Sequence, residues 1–169
     1  MDDLIERAAQ GERDSLSELV RQNYPAVFRF CVRRLGPELG QDAAQETFVT
    51  MQKSLKGYKG QGSFTTWLLG IAHNHVRNLS RRRNAEPLPL ADWLEDGASP
   101  EPDLIQRDLL RKALSRLTED HRQAVLMHEI EGLSYMEIAE ILQVPEGTVK
   151  SRLHHAFRSL RASLTEVTA

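Results

Sequence analysis

Apolar residues recur every three to four positions along most of this chain, the period of an amphipathic helix. Leu4, Ile5 and Ala8 open one stripe, Leu16, Leu19 and Val20 a second, and Val27, Phe28 and Cys31 a third. Residues 2–35 therefore read as helix, interrupted near Gly11 and kinked or broken at Tyr24-Pro25, because proline lacks the backbone donor and crowds the preceding turn. Gly36-Pro37 and Gly40 mark a turn. A helix is expected over about 41–56, with Ala44, Phe48, Met51 and Leu55 as its buried stripe. Another is expected over about 65–82, rich in buried-type residues (Trp67, Leu68, Ile71, Ala72, Val76 and Leu79). The intervening Gly57-Tyr58-Lys59-Gly60-Gln61-Gly62-Ser63-Phe64 reads as a flexible loop with aromatics at both ends.

The pattern breaks after residue 84. Residues 85–102 are dominated by Pro, Gly, Asp and Glu, the composition of a linker, although Leu88, Leu90, Trp93 and Leu94 are too apolar for an idle spacer. An acidic, partly apolar segment of this kind suits a basic groove on a partner. Helix is expected to resume by residue 103.

The last third carries three helical segments separated by strong punctuation. The first ends at Gly132. The second opens at Ser134, which forms a capping box with Glu137, carries Ile138, Ala139, Ile141 and Leu142 on one side, and stops before Val144-Pro145. Pro145 suits the first turn of the third, where a missing N–H costs nothing. In that third segment Val149, Leu153, Ala156, Phe157 and Leu160 form one apolar face. The opposite face presents Thr148, Lys150, Ser151, His154, His155 and Arg158, with Arg152 on its flank. A packed back and a basic, hydroxyl-bearing front, after a short helix and a tight turn, describe a helix-turn-helix whose recognition helix comes last. The competing reading, a merely solvated charged face, does not account for the turn chemistry.

Composition changes this picture little, and charge distribution changes it more. The chain has 169 residues, room for one domain or two small ones, and a formal net charge of −2 that does not announce a nucleic-acid binder. The average hides segregation. Residues 73–84 carry Arg77, Arg81, Arg82 and Arg83 and no acid, a charge of +4, whereas residues 86–108 carry seven acids against Arg107, a charge of −6. Basic patches flank an acidic connector. The single cysteine, Cys31, allows no disulfide within the chain and reads as a small buried hydrophobe, which fits a reducing compartment. No apolar stretch approaches membrane-spanning length, so no membrane insertion and a cytoplasmic location are expected.

Candidate chemistry lies on three surfaces. On the helix over 41–56, Asp42, Gln45, Glu46 and Lys53 surround Val49, an apolar residue inside a polar face, which resembles a protein-docking surface as much as an ordinary exposed face. In the glycine-rich loop, Tyr58 is the better candidate for stacking on an unpaired base, with Trp67 mainly structural. Asn74, Arg77 and Arg81 follow on one helix edge, where arginines meet phosphates. The third surface is the recognition helix. Metal chemistry has little support: His73 and His75 point to different faces, and His121 and His128 have no acidic or cysteine partner at ligand spacing. No nucleophile constellation appears, and no cofactor is implied.

Three runs carry a family resemblance: Asp42-Ala43-Ala44-Gln45-Glu46-Thr47-Phe48; Phe64-Thr65-Thr66-Trp67-Leu68-Leu69-Gly70-Ile71-Ala72-His73-Asn74; and Glu137-Ile138-Ala139-Glu140 followed by Gly147-Thr148-Val149-Lys150-Ser151-Arg152-Leu153. In this order and spacing the chain resembles the extracytoplasmic-function (ECF) sigma factors, the smallest members of the bacterial housekeeping-sigma family. The last run alone is shared by many helix-turn-helix proteins; the three together are far more specific.

The resemblance implies an all-α protein of two small helical domains joined by an acidic, proline-rich linker: region 2 over residues 1–84, linker over 85–108, region 4 over 109–169. It implies no catalysis. The first domain is expected to bind the beta-prime clamp of core RNA polymerase through Asp42, Gln45, Glu46 and Val49, and the beta subunit is a further expected partner of the chain. It is also expected to open the minus-ten element with Tyr58, Lys59, Phe64, Asn74, Arg77 and Arg81. The second is expected to read the minus-thirty-five element through Thr148, Lys150, Ser151, Arg152, His154, His155 and Arg158. The linker is expected to thread the polymerase channels near the RNA exit path, and an anti-sigma factor is a further expected partner. The chain departs from the family at Gln41, where an acid is common, and at His155 and Phe157, where arginine is common. An autonomous helix-turn-helix regulator is the rival reading; it would not need the first domain.

Overall fold

The computed structural model describes residues 2–83 and 104–168, which form two compact helical units, one on either side of the segment between them. No strand occurs among the described residues. Leu88, Leu90, Trp93 and Leu94 lie outside the described residues.

The first unit contains α1 (Asp2–Ala9), α2 (Arg13–Leu35), α3 (Pro37–Ser54) with a following 3-10 turn (Leu55–Gly57), and α4 (Phe64–Arg83). Helices α2, α3 and α4 pack pairwise, and α1 lies on α2. Leu19, Val27, Phe30, Met51 and Leu68 are fully buried between them. Each such side chain contributes about 1.5–3 kcal/mol of transfer free energy, against roughly 0–1 kcal/mol for a surface ion pair. The apolar stripes therefore decide this unit.

Tertiary packing overrides two local signals. Pro25 neither breaks nor ends α2, which runs continuously from Arg13 to Leu35. The helix loses one backbone bond there, but Leu19 on one side and Val27 on the other are both fully buried, so packing keeps the helix continuous. Nor is Gly40 part of a turn. The chain reverses at Gly36 alone, whose φ of 80° is open to glycine and whose N–H bonds the Val32 carbonyl at 2.8 Å. Pro37 then starts α3 at once. Gly40 sits inside α3, where a Cβ would stand 2.5 Å from the Val32 Cα, so its missing side chain lets α2 and α3 close.

Polar bonds set the register of the packed helices. Asn23, buried in α2, donates to the Leu19 carbonyl (2.9 Å) and accepts from Thr65 Oγ1 of α4 (2.9 Å). Thr50 of α3 meets His75 Nε2 of α4 at 2.9 Å. Cys31 is fully buried, and burial pushes its thiol up to about 12, which makes it the inert hydrophobe expected.

The second unit contains α5 (Leu104–Ser115), α6 (Glu119–Val125) continued by a π-helical turn (Leu126–Ile130), α7 (Tyr135–Leu142) and α8 (Glu146–Thr168). Helix α5 starts at Leu104, so residues 104–108 of the segment assigned to the linker are helical. Helix α8 packs against α5, α6 and α7, over a core of Met127, Ile138, Val149, Leu153 and Ala156.

Candidate nucleic-acid interface

The second unit is built by a chain of local caps. Thr118 closes the N-terminus of α6, its hydroxyl accepting the His121 N–H at 3.3 Å. The helix then widens: the Glu131 N–H reaches back five residues to the Leu126 carbonyl at 3.2 Å. Gly132, at φ +67°, ends it as expected. His128 Nδ1 lies 3.0 Å from the Leu133 carbonyl; a carbonyl can only accept, so this nitrogen carries the proton and pins the turn. The capping box forms as read: the Glu137 N–H donates to Ser134 Oγ (3.3 Å) and the Ser134 N–H to Glu137 Oε2 (2.9 Å).

Helix α7 stops at Leu142 because Gln143 turns left-handed (φ 54°, ψ 46°), and the Val144 N–H bonds the Ala139 carbonyl at 3.1 Å. Pro145 stands just ahead of α8, its carbonyl accepting the Thr148 N–H at 2.9 Å. The caps thus deliver α8 across a three-residue turn, with Val149, Leu153, Ala156 and Leu160 inward. Phe157 departs from the expected face: it is 36% exposed and lies beside the buried stripe.

On the outer side Lys150, Ser151, His154, His155 and Arg158 are exposed, and Thr148 is half-buried. Arg152 is not a free cation. Its guanidinium bonds Asp120 Oδ2 of α6 at 2.8 Å and its side chain is only 22% exposed. His155 stacks on His121 of α6, ring centroids 6.1 Å apart and 19° from parallel, and meets His154 edge-on at 5.7 Å. Asp120 and His121 were not legible as part of this surface; a contact between helices leaves no trace in the period of either one.

In the first unit Asp42, Gln45, Glu46 and Val49 are all exposed on α3, Val49 to 44%. Phe48, expected to be buried, is only half-buried. It stacks on Tyr24 (5.9 Å), which stacks on Phe28 (5.5 Å), forming an aromatic run along α2 and α3 that sequence reasoning missed. Across the loop, Tyr58 packs against Phe64 (5.3 Å, edge-on) and Trp67 (5.1 Å), and its hydroxyl reaches the Gly62 carbonyl at 3.3 Å. Gly60 and Gly62 supply the left-handed bends, and Ser63 caps α4 by accepting the Thr66 N–H at 3.0 Å. Phe64 is 5% exposed, a floor beneath Tyr58 rather than a surface. Lys59, Asn74, Arg77 and Arg81 are exposed.

Among the described residues no group of three His, Cys, Asp or Glu side chains is placed to hold a metal ion, and no helix is long and apolar enough to cross a membrane.

Comparison with known families assigns both units. The family described as Sigma-70 region 2 matches residues 19–86, and that described as Sigma-70, region 4 matches residues 107–160. The chain belongs to the sigma-70 family. Within it the chain is an RNA polymerase sigma factor of the ECF type. It is 32% identical over 168 residues to the ECF RNA polymerase sigma-E factor of Haemophilus influenzae, covering 90% of this chain and 89% of that one. Its fold resembles CnrH, solved with the cytosolic domain of CnrY, at a TM-score of 0.68 and 24% identity, over 96% of each chain. It also resembles the sigma factor RpoE of Bartonella quintana, solved with the anti-sigma factor NepR, at a TM-score of 0.64 and 24% identity, over 88% of this chain and 96% of that one. In this sigma factor the region 4 match takes in the whole capped turn and the buried stripe of α8, while α1 lies ahead of the region 2 match.

Proposed function

We propose a division of labour between the two units. Residues 1–84 bind core RNA polymerase and open the minus-ten element, the second unit from Leu104 onward reads the minus-thirty-five element, and the linker threads the polymerase between them. Asp42, Gln45, Glu46 and Val49 dock on the beta-prime clamp. Tyr58, standing on Phe64 and Trp67, receives an unstacked base, while Lys59, Asn74, Arg77 and Arg81 hold phosphates. Lys150, Ser151, His154, His155 and Arg158 face the major groove, with Thr148 at its edge and Arg152 positioned through Asp120. The protein contributes recognition and strand opening, with all bond chemistry left to the polymerase, and so acts in the cytoplasm. An anti-sigma factor is proposed as a regulator by likeness to the Bartonella quintana relative.

The observation that carries this reading is the two-sidedness of α8: Val149 and Leu153 are buried to within 1% while Lys150, Ser151 and His154 between and beside them are exposed. The test is transcription from a promoter library by core polymerase with and without this protein. Enrichment of promoters sharing paired minus-ten and minus-thirty-five motifs supports it. Tight binding to duplex operator without polymerase, and no stimulated transcription, would instead mark an autonomous regulator.

A further inference from the structure

The first turn of α4 supplies Phe64 and Trp67, the two rings on which Tyr58 leans. Its local bonds tie that turn to itself. Ser63 Oγ accepts the Thr66 N–H at 3.0 Å and pairs with Thr66 Oγ1 at 2.7 Å, and the Trp67 N–H reaches the Ser63 carbonyl at 3.1 Å. None of these three fixes the turn against the rest of the unit. Thr65 does: its hydroxyl donates to Asn23 Oδ1 of α2 at 2.9 Å, across 42 residues of chain.

Asn23 is oriented to receive that bond. It is 4% exposed, and its amide nitrogen donates to the Leu19 carbonyl at 2.9 Å. A carbonyl can only accept, so the nitrogen must face Leu19, and the amide oxygen is left facing α4. Helix α2 alone gains nothing from asparagine here. It is a poorer helix former than Ala or Leu, and a buried amide costs free energy unless it is matched. What it supplies is direction. Apolar contacts such as those of Leu19 and Leu68 are non-directional, whereas a hydrogen bond weakens steeply when misaligned. The Asn23–Thr65 bond therefore sets where the entry of α4 stands on α2. Phe64, the neighbour of Thr65, is buried beneath the Tyr58 ring.

We propose that Asn23 is a positioning residue for base capture: through Thr65 it holds Phe64 and Trp67 where Tyr58 can stack on an extruded minus-ten base. The proposal rests on the reading of Tyr58 as the base-receiving ring, and adds to it a buried residue of α2. A platform held in place before the base arrives need not be ordered on binding, so the stacking is realised in full. Without the bond the three rings keep their mutual contacts, but the entry of α4 shifts on α2. The base then meets a displaced ring.

The experiment measures holoenzyme affinity for single-stranded oligonucleotides carrying the minus-ten element of a promoter that it transcribes. Each oligonucleotide is intact or has one base removed, position by position. The ratio of intact to abasic affinity reports the seat alone. A general loss of stability or of polymerase binding moves both affinities together and leaves that ratio unchanged. In the wild type the ratio at one position should be about five- to 150-fold, the worth of one stacked base. Thr65→Val, which keeps the shape and removes the hydroxyl, should lower that ratio about threefold or more, and so should Asn23→Ala. Thr65→Ser, which keeps the hydroxyl, should hold the wild-type ratio. Thr65 is only half-buried, so its two variants carry the test if Asn23→Ala does not fold. An unchanged ratio in Thr65→Val overturns the proposal, as does Thr65→Ser behaving like Thr65→Val. A fall in Thr65→Val that a folded Asn23→Ala does not share also overturns it, because the Thr65 hydroxyl would then meet the DNA itself. If the wild type shows no such ratio at any position, or Tyr58→Ala keeps it, the base seat falls as well. If Tyr58→Ala loses the ratio while Thr65→Val keeps it, only the role of Asn23 is lost.

Discussion

The Arg152 guanidinium bonds the Asp120 carboxylate at 2.8 Å, joining the recognition helix α8 to α6. A residue that sequence reasoning assigns to DNA is thus held by the protein. Replacing Asp120 by Asn should cost no more than ~1 kcal/mol in stability, since the carboxylate is 66% exposed. It should also release a cation toward the backbone. The salt dependence of holoenzyme binding should then steepen by roughly one unit of slope. An unchanged slope would mean that Arg152 already contacts DNA or never reaches it.

Reading and holding should separate along α8. Ser151 and His154 lie toward its N-terminal half, the part that meets base edges, and Arg158 lies two turns beyond Ser151. Arg158→Ala should weaken all promoters about equally and lower the salt slope by roughly one. His154→Ala should instead change which minus-thirty-five sequences are preferred. The opposite pattern would mean that the helix lies differently in the groove.

For α3, the double change Gln45→Ala and Glu46→Ala should weaken core polymerase binding and leave the thermal midpoint nearly unmoved, because both residues are exposed and surface changes usually stay within about 0.5 kcal/mol. Wild-type affinity in a polymerase titration would remove this face from the interface.

Tyr58→Ala should impair open-complex formation on a duplex promoter and be rescued on a template already melted at the minus-ten element. Stacking of a base on an aromatic ring is worth about 1–3 kcal/mol. Tyr58→Phe keeps the packing on Phe64 and Trp67 and removes the hydroxyl that reaches Gly62 at 3.3 Å, so it should stay close to wild type. Equal defects on both templates would make Tyr58 a packing residue.

Gly40→Ala tests the closeness of α2 and α3. The added Cβ meets Val32 backbone at 2.5 Å, and backbone cannot rotate away as a side-chain tip can. Overpacking of this kind costs about 1–3 kcal/mol or more, opposing the small gain in helix propensity. Chemical denaturation should show a lower midpoint; an unchanged one would mean that the two helices separate freely.

Whatever depends on neighbours within four residues was legible along the chain. The Ser134–Glu137 box, the stop at Gly132, the buried stripe of Val149, Leu153, Ala156 and Leu160 and the exposure of Val49 follow from caps and periods, which are short-range physics. The paired helical units follow from the same rules, and family resemblance supplied what spacing could not, the promoter and polymerase roles. Only tertiary structure decided which cations and rings are already engaged. Arg152 and Asp120 are 32 residues apart, and neither helix pattern specifies that they meet. Phe64 is a floor and Phe157 a flank because of where each sits against neighbouring helices, a matter of packing rather than hydrophobicity. Pro25 and Gly40 make the same point for the backbone. Each is a breaker by local preference, and each stands inside a continuous helix because burial on both sides of Pro25, and close approach at Gly40, outweigh a penalty of one bond or one missing side chain.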